Sequence, residues 1–311
     1  MKKIILAILL FLGICGPVRA DSSAADFLLI NPSARLAALG DAGVAYGELS
    51  AVFFNPANLG GSEPRQIGFG YAWWLENIQL NYLALSFSPS DDESFGLEYL
   101  RLDYGEIPRI DIQETEYGNY GAFDGRLGVT YCQRILGDVF SEDTAFLGGT
   151  FKFIQQKIDE SLANGYALDL GIKYRGRIFG LFPVPAGFSV SNLGPQMKFY
   201  RQGYNLPLLL RLGMALPLGE KVNMPVEVSY AFRGTNDKLN FHLGAEYRYD
   251  WRSYQFSGRV GYRTDVLTDL DWLAGFTLGV GLNCSGVGLD YAFVPYSILG
   301  NTSRITLRLK F

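Results

Sequence analysis

The sequence predicts an all-β fold, a 14-stranded antiparallel transmembrane β-barrel with a short N-terminal helical and looped hatch inside its lumen. Three observations carry that expectation. First, the chain ends in Arg304-Ile305-Thr306-Leu307-Arg308-Leu309-Lys310-Phe311, where Ile305, Leu307, Leu309 and Phe311 alternate with charged or hydroxyl residues. A strand puts these two sets on opposite faces, which is what a wall with lipid outside and water inside requires. Second, fourteen segments repeat the pattern, an even number as a single-chain bacterial barrel demands. Third, past the N-terminus no stretch offers the ~20 apolar residues of a membrane helix. Yet 37 glycines, 19 tyrosines and 22 phenylalanines suit short strands and aromatic belts.

Taken in order, residues 1–20 read as a signal peptide that is removed. Lys2 and Lys3 give a basic start, Ile4 to Ile14 an apolar run too short to span, and Val18-Arg19-Ala20 a small-residue cleavage site. Residues 21–60 read as the hatch. Ser33 can cap a helix from Ala34 to Leu39, Gly40 and Gly43 break it, and Asn55-Pro56 forces a turn. Residues 61–311 are the barrel, with strands expected at 65–74, 78–88, 93–104, 121–134, 145–157, 164–176, 184–192, 207–217, 224–233, 237–249, 254–264, 273–284, 286–294 and 303–311. Pro183, Pro185 and Pro195 make the seventh the weakest. The connections at 105–120, 193–206, 265–272 and 295–302 are odd-numbered and most even-numbered ones are tight, with the 135–144 turn as the exception, an asymmetry expected if the chain enters from the periplasm.

Alternation also assigns faces. Leu239, Phe241, Leu243, Ala245 and Tyr247 oppose Asn240, His242, Glu246 and Arg248, while Val226, Val228, Tyr230 and Phe232 oppose Glu227, Ser229 and Arg233. A charge facing hydrocarbon costs roughly 2–4 kcal/mol at mid-bilayer, so the charged faces line the lumen. The lumen charges are then Arg211, Glu227, His242, Glu246, Arg259, Arg263, Asp290 and Arg308. Strand order brings Arg211, Arg259, Arg263 and Arg308 near Glu227, Glu246, Asp169 and Asp290, where paired charges neutralise one another. Cys132 and Cys284 fall on opposite faces, which argues against a disulfide. Trp73, Trp74, Tyr104, Trp251, Tyr254, Trp272 and Tyr296 lie near strand ends and read as interfacial girdles. The acidic run 111–116 reads as a solvated outer loop.

Two stretches resemble a known family. Arg35-Leu36-Ala37-Ala38-Leu39-Gly40-Asp41-Ala42-Gly43-Val44-Ala45, followed by Ala51-Val52-Phe53-Phe54-Asn55-Pro56-Ala57-Asn58-Leu59, resembles the N-terminal signature of FadL-like outer-membrane proteins, most closely the PorV/PorQ (UPF0164) branch. Leu289 to Pro295, with Leu299-Gly300-Asn301-Thr302 and Arg304, resembles that branch's closing hairpin, although Ser303 stands where the branch usually has histidine. Phe311 resembles the C-terminal signal read by the barrel-assembly machinery. The resemblance implies a hatch built on Arg35, Gly40, Gly43, Asn55 and Pro56, a location in the bacterial outer membrane, and a role in transport or export. Its main implication is a docking or shuttle component for secreted proteins, as in type IX secretion. The alternative is a FadL-like channel for small hydrophobic molecules such as fatty acids.

Other classes find no footing. Without Lys2, Lys3 and Arg19 the 27 basic residues fall to 24 against 31 acidic, the wrong balance for a nucleic-acid binder. His242 is the single histidine, and no spacing builds a metal cluster or a Ser/His dyad around it, so neither an enzyme, a metal nor a cofactor is expected. Gly279-Val280-Gly281 and Gly286-Val287-Gly288 sit in strands with no following helix and read as relief of crowding inside the barrel.

Overall fold

The computed structural model describes residues 23–138, 141–177, 183–199, 201–233, 237–267 and 270–311. The expected leader, 1–20, lies outside the described residues. Among the described residues fourteen strands form a closed antiparallel barrel. They are β1 (Arg65–Trp73), β2 (Gln79–Phe87), β3 (Glu93–Ile110), β4 (Glu116–Leu136), β5 (Thr144–Ile158), β6 (Ser161–Arg177), β7 (Pro183–Leu193), β10 (Leu208–Leu218), β11 (Val222–Phe232), β12 (Lys238–Trp251), β13 (Tyr254–Arg263), β14 (Phe276–Cys284), β15 (Val287–Pro295) and β16 (Asn301–Lys310). A small hairpin, β8 (Met197–Phe199) with β9 (Gln202–Tyr204), sits in the connection between β7 and β10. The first and last strands close the wall, with Gln66 opposite Lys310 and Trp73 opposite Ser303. The rim carrying Arg65 and Phe311 is called proximal below and the opposite rim distal.

Hydrophobic alternation sets the faces. Leu239, Phe241, Leu243 and Tyr247 of β12 are exposed on the outer wall, whereas Asn240, His242 and Glu246 between them are buried. An exposed apolar belt around a polar interior is the inverse of a water-soluble protein and matches a wall that faces lipid. The prolines of β7 are accommodated where the ladder is one-sided. Pairing with β10 runs only from Ala186 to Ser191, so Pro183 and Pro185 owe β10 no hydrogen bond.

Two connections differ from expectation. Most of 105–120 is strand: β3 and β4 continue past their neighbours as a two-stranded ribbon, beyond the last β2 pair at Gln79–Asp103 and the first β5 pair at Ala122–Ile158. A register shift after Asp103, with Gly105 in the left-handed region (φ +71°), bends the ribbon there. At its tip the Asp111 carboxylate accepts the Gln113 and Thr115 N–H groups at 2.8 and 2.9 Å, so part of the acidic run serves its own turn. Strands of three residues such as β8 and β9 are too short for alternation to reveal. Cys132 and Cys284 are both free thiols.

Candidate functional site

The lumen is filled by residues 23–60, and their local structure follows from a few side chains. Ser33 accepts the Leu36 N–H and starts a single helical turn, α1 (Ala34–Ala37). The turn ends in a Schellman pair, Gly40 N–H to Ala37 and Asp41 N–H to Leu36, which requires the left-handed backbone that Gly40 adopts (φ +67°). Asn55 accepts the Ala57 N–H and Pro56 opens the next turn, Pro56–Leu59.

This segment presses its backbone onto glycines of the wall. Three cross-strand glycine pairs form flat windows: Gly244 with Gly261, Gly187 with Gly213, and Gly148 with Gly171. Leu39 and Gly40 lie on the first, Val44 on the second, and Asn55 to Ala57 on the third. A Cβ at Gly244 would stand 2.7 Å from the Leu39 oxygen, and one at Gly148 only 2.5 Å from the Ala57 nitrogen. These six glycines thus seat the hatch, while of those expected to relieve crowding Gly279 lies against hatch Ala38, and Gly281 and Gly288 make room for the wall side chains Arg259 and Arg308.

Charges clamp the hatch between β11 and β16 in a closed ring. Arg35 of the hatch meets Glu246 with Nε at 2.9 Å and Nη2 at 2.8 Å. Glu246 meets Arg259 at 2.7 Å, Arg259 meets Asp290 at 2.7 Å, and Asp290 meets Arg308 at 2.9 Å. Arg308 stands 3.7 Å from hatch Glu48, and Glu48 returns to Arg35 at 2.8 Å. Beside the ring, Glu227 pairs with Arg211 through one oxygen and accepts the Gly43 and Val44 N–H groups through the other, both at 2.8 Å. Buried charges are tolerated only with such pairing and hydrogen bonding.

A third clamp departs from the sequence pairing. Arg263 turns to hatch Asp41 at 2.8 Å, with Asp265 at 3.5 Å, while Asp169 takes Lys152 at 2.7 Å. Burial works against ionisation of Asp41, but the Arg263 and Arg304 charges outweigh it and hold the carboxyl below its usual range. At Glu48 burial is likewise overcome by Arg35 and Arg308, and that carboxyl too lies low. Arg304 itself donates to the Asn31 oxygen at 2.8 Å. His242 holds the Gly40 oxygen at 2.8 Å through Nδ1 and meets Ser229 Oγ at 2.9 Å through Nε2. Contrary to the sequence reading, a serine does stand beside the histidine. Both are buried, and both ring nitrogens are engaged, which fits a strut for the hatch.

The other half of the lumen holds an apolar compartment beside further buried charges, Glu98, Asp124, Arg126, Lys152 and Asp169. Leu80, Tyr82, Leu100, Leu102 and Ile154 face inward and pack with Phe27 and Leu28 of the N-terminal segment and with Met197 and Leu206 of the distal loop. A polar row flanks this compartment: Arg126 lies 3.5 Å from Glu98 and stacks 4.5 Å above the Phe53 ring. Three of the expected girdle aromatics belong inside. Trp74 packs on Tyr296 with Arg304 over its ring, and Tyr104 donates to Asp124 at 2.8 Å. Trp73, Trp251, Tyr254 and Trp272 are exposed on the outer surface. Phe311 is also exposed, its N–H on the Arg65 oxygen at 3.2 Å.

No protein-family model and no curated protein sequence matches the chain. Solved structures do. A Pseudomonas aeruginosa FadL homologue superposes with a TM-score of 0.58 at 11% identity, covering 94% of this chain and 100% of the other. The Ralstonia pickettii toluene transporter TbuX gives 0.56 at 12% identity, over 91% and 98%. The Pseudomonas putida toluene transporter TodX gives 0.56 at 11% identity, over 88% and 95%. The fold is that of the FadL-like barrels. The narrower resemblance to the PorV/PorQ branch rests on the two end motifs and draws no support from these comparisons, nor does a docking role in type IX secretion.

Proposed function

We propose that the chain is an outer-membrane conduit for small hydrophobic molecules, with the proximal rim toward the periplasm and the distal rim outside. The observation that carries this reading is the apolar compartment. Enclosed inside a wall whose partners are otherwise charged, it offers a hydrocarbon solute a transfer gain of about 25 cal/mol per Å². The barrel likeness to two toluene transporters and a FadL homologue supports it. On this reading residues 1–20 are a cleaved leader, Phe311 is offered to the barrel-assembly machinery, residues 23–60 act as the hatch, and the lumen charges hold that hatch rather than catalyse. The order of preference between the two cargoes expected from sequence is thereby reversed.

The test is uptake of radiolabelled naphthalene by cells of an outer-membrane host that lacks its own hydrocarbon and fatty-acid channels, alongside mass spectrometry of whatever co-purifies in mild detergent. Uptake above the empty-vector rate, with an apolar molecule bound in stoichiometric amount, is expected. Uptake at the vector rate, with an exported protein bound instead, returns the docking reading.

A further inference from the structure

We propose that a hydrophobic solute passes the hatch along one seam, between residues 49–60 and strands β1–β4, and that Phe53, Leu59 and Tyr82 set its width; this rests on the conduit reading above. The bonding of the hatch is lopsided. Toward β11–β16 it is held by the ion ring, by Glu227 and by the Asp41–Arg263 pair. Opening there would strand buried charges, at several kcal/mol each. Toward β1–β4, among the described residues, the polar links of 49–60 are Ser94 Oγ to the Leu59 oxygen at 3.3 Å and Cys132 Sγ to the Ala57 oxygen at 3.7 Å, with Arg126 stacked on Phe53. The rest of that contact is apolar, and a solute that enters it replaces one apolar neighbour with another.

The glycines differ between the two sides in the same sense. On the clamped side Gly244 and Gly261 receive the hatch backbone of Leu39 and Gly40. On the seam the glycines receive side chains: Leu49 over Gly68, Tyr82 over Gly70, and Leu59 over Gly96, where a Cβ would come within 2.7 Å of Leu59 Cδ1. Side chains can change rotamer where a clamped backbone cannot. The seam also has two ends. One buried apolar cluster runs unbroken from Met197 and Phe27 through Leu100 and Tyr82 to Leu59 and Phe146. Phe53 meets Tyr82 edge-on at 5.4 Å in the middle. At the proximal end, Phe146 borders an open cleft of about 690 Å³ that also includes Ser62, Ser94 and Arg134.

The experiment locks each side in turn. With Cys132→Ala and Cys284→Ser as background, Leu59→Cys/Gly96→Cys is cross-linked by a short bismaleimide in folded, heat-modifiable barrel, and Ala37→Cys/Ala292→Cys serves as the clamped-side pair. Naphthalene uptake is measured before and after. The seam cross-link is expected to abolish uptake while the clamped-side cross-link leaves it unchanged. Uptake that survives the seam cross-link, or that is lost equally with either, overturns the seam. If the uncross-linked protein takes up no naphthalene at all, the conduit reading falls and the seam with it. As an independent readout, Phe53→Ala and Tyr82→Ala are expected to raise pyrene uptake severalfold relative to naphthalene. An unchanged ratio overturns their assignment.

Discussion

Replacing Glu246 by glutamine probes the clamp at its hub. The Glu246 side chain is wholly buried and accepts from Arg35 twice and from Arg259 once, at 2.7 to 2.9 Å, with the Tyr46 hydroxyl at 3.3 Å. Glutamine keeps the shape, but turns one acceptor into a donor aimed at a guanidinium and removes the charge. Breaking a buried pair costs about 3–5 kcal/mol. Arg35 retains Glu48 and Arg259 retains Asp290, so the lower end applies, about 3 kcal/mol. Because Arg35 belongs to the hatch and Arg259 to the wall, most of that loss falls on the contact between them. At 1.4 kcal/mol per decade, the closed-to-open ratio falls on the order of 100-fold. Planar-bilayer recording of Glu246→Gln should therefore show ion-conducting openings far more often than wild type, with the barrel's heat-modifiable mobility intact. An open probability within threefold of wild type in a folded barrel would refute the claim that the ring holds the hatch.

Two further perturbations follow from the geometry. Gly171→Ala and Gly261→Ala each place a methyl inside hatch atoms, at the Asn55 side chain and the Gly40 nitrogen respectively, and overpacking of this kind costs about 1–3 kcal/mol. Limited proteolysis should find residues 23–60 cut faster in both, while Gly258→Ala, where nothing lies within 4 Å, should match wild type. Acid should act through Asp41 and Glu48. Their folded pKa values lie below the unfolded ones, so their contribution is present above the unfolded range and is lost as pH falls through the folded values. Conductance should stay flat from about pH 8 to about 5 and rise only below about 4. A rise already near pH 6 would point to a different titrating group.

Much of the barrel was legible because lipid outside and charge inside write a period of two into each strand. The inward positions of Glu227, Glu246, Arg259, Asp290 and Arg308 follow from that parity alone. Charge misleads at the distal end of β3, where Arg101 and Asp103 share the face of exposed Tyr99 and pair with each other at 2.8 Å, while Leu100, Leu102 and Tyr104 share the inner face. Parity itself fails beyond the ladders, where Trp74 and Tyr296 leave their strands and turn back over Arg304 and Arg263. The partners of the lumen charges were hidden for another reason. Neighbouring strands can be read from order along the chain, but Asp41 and Glu48 lie on a segment that crosses the lumen, far from Arg263 and Arg308 in sequence. Their one signal was the presence of carboxylates in an otherwise apolar, small-residue stretch.

The closing pair of the wall constrains how the molecule can be made. β1 follows the hatch directly, and β16 is the last strand, so Gln66 meets Lys310 only after nearly the whole chain is available. Contacts so distant in sequence form late. In the finished wall residues 23–60 cross the inner side from one rim to the other, with Ser23 and Ala24 bonded to Asn205 near the distal rim and Gly60 at the proximal one. The segment that precedes the first strand thus supplies the core of a cylinder whose closing contact joins that first strand to the last, and the wall has its filling on the same stretch of chain that begins its seam.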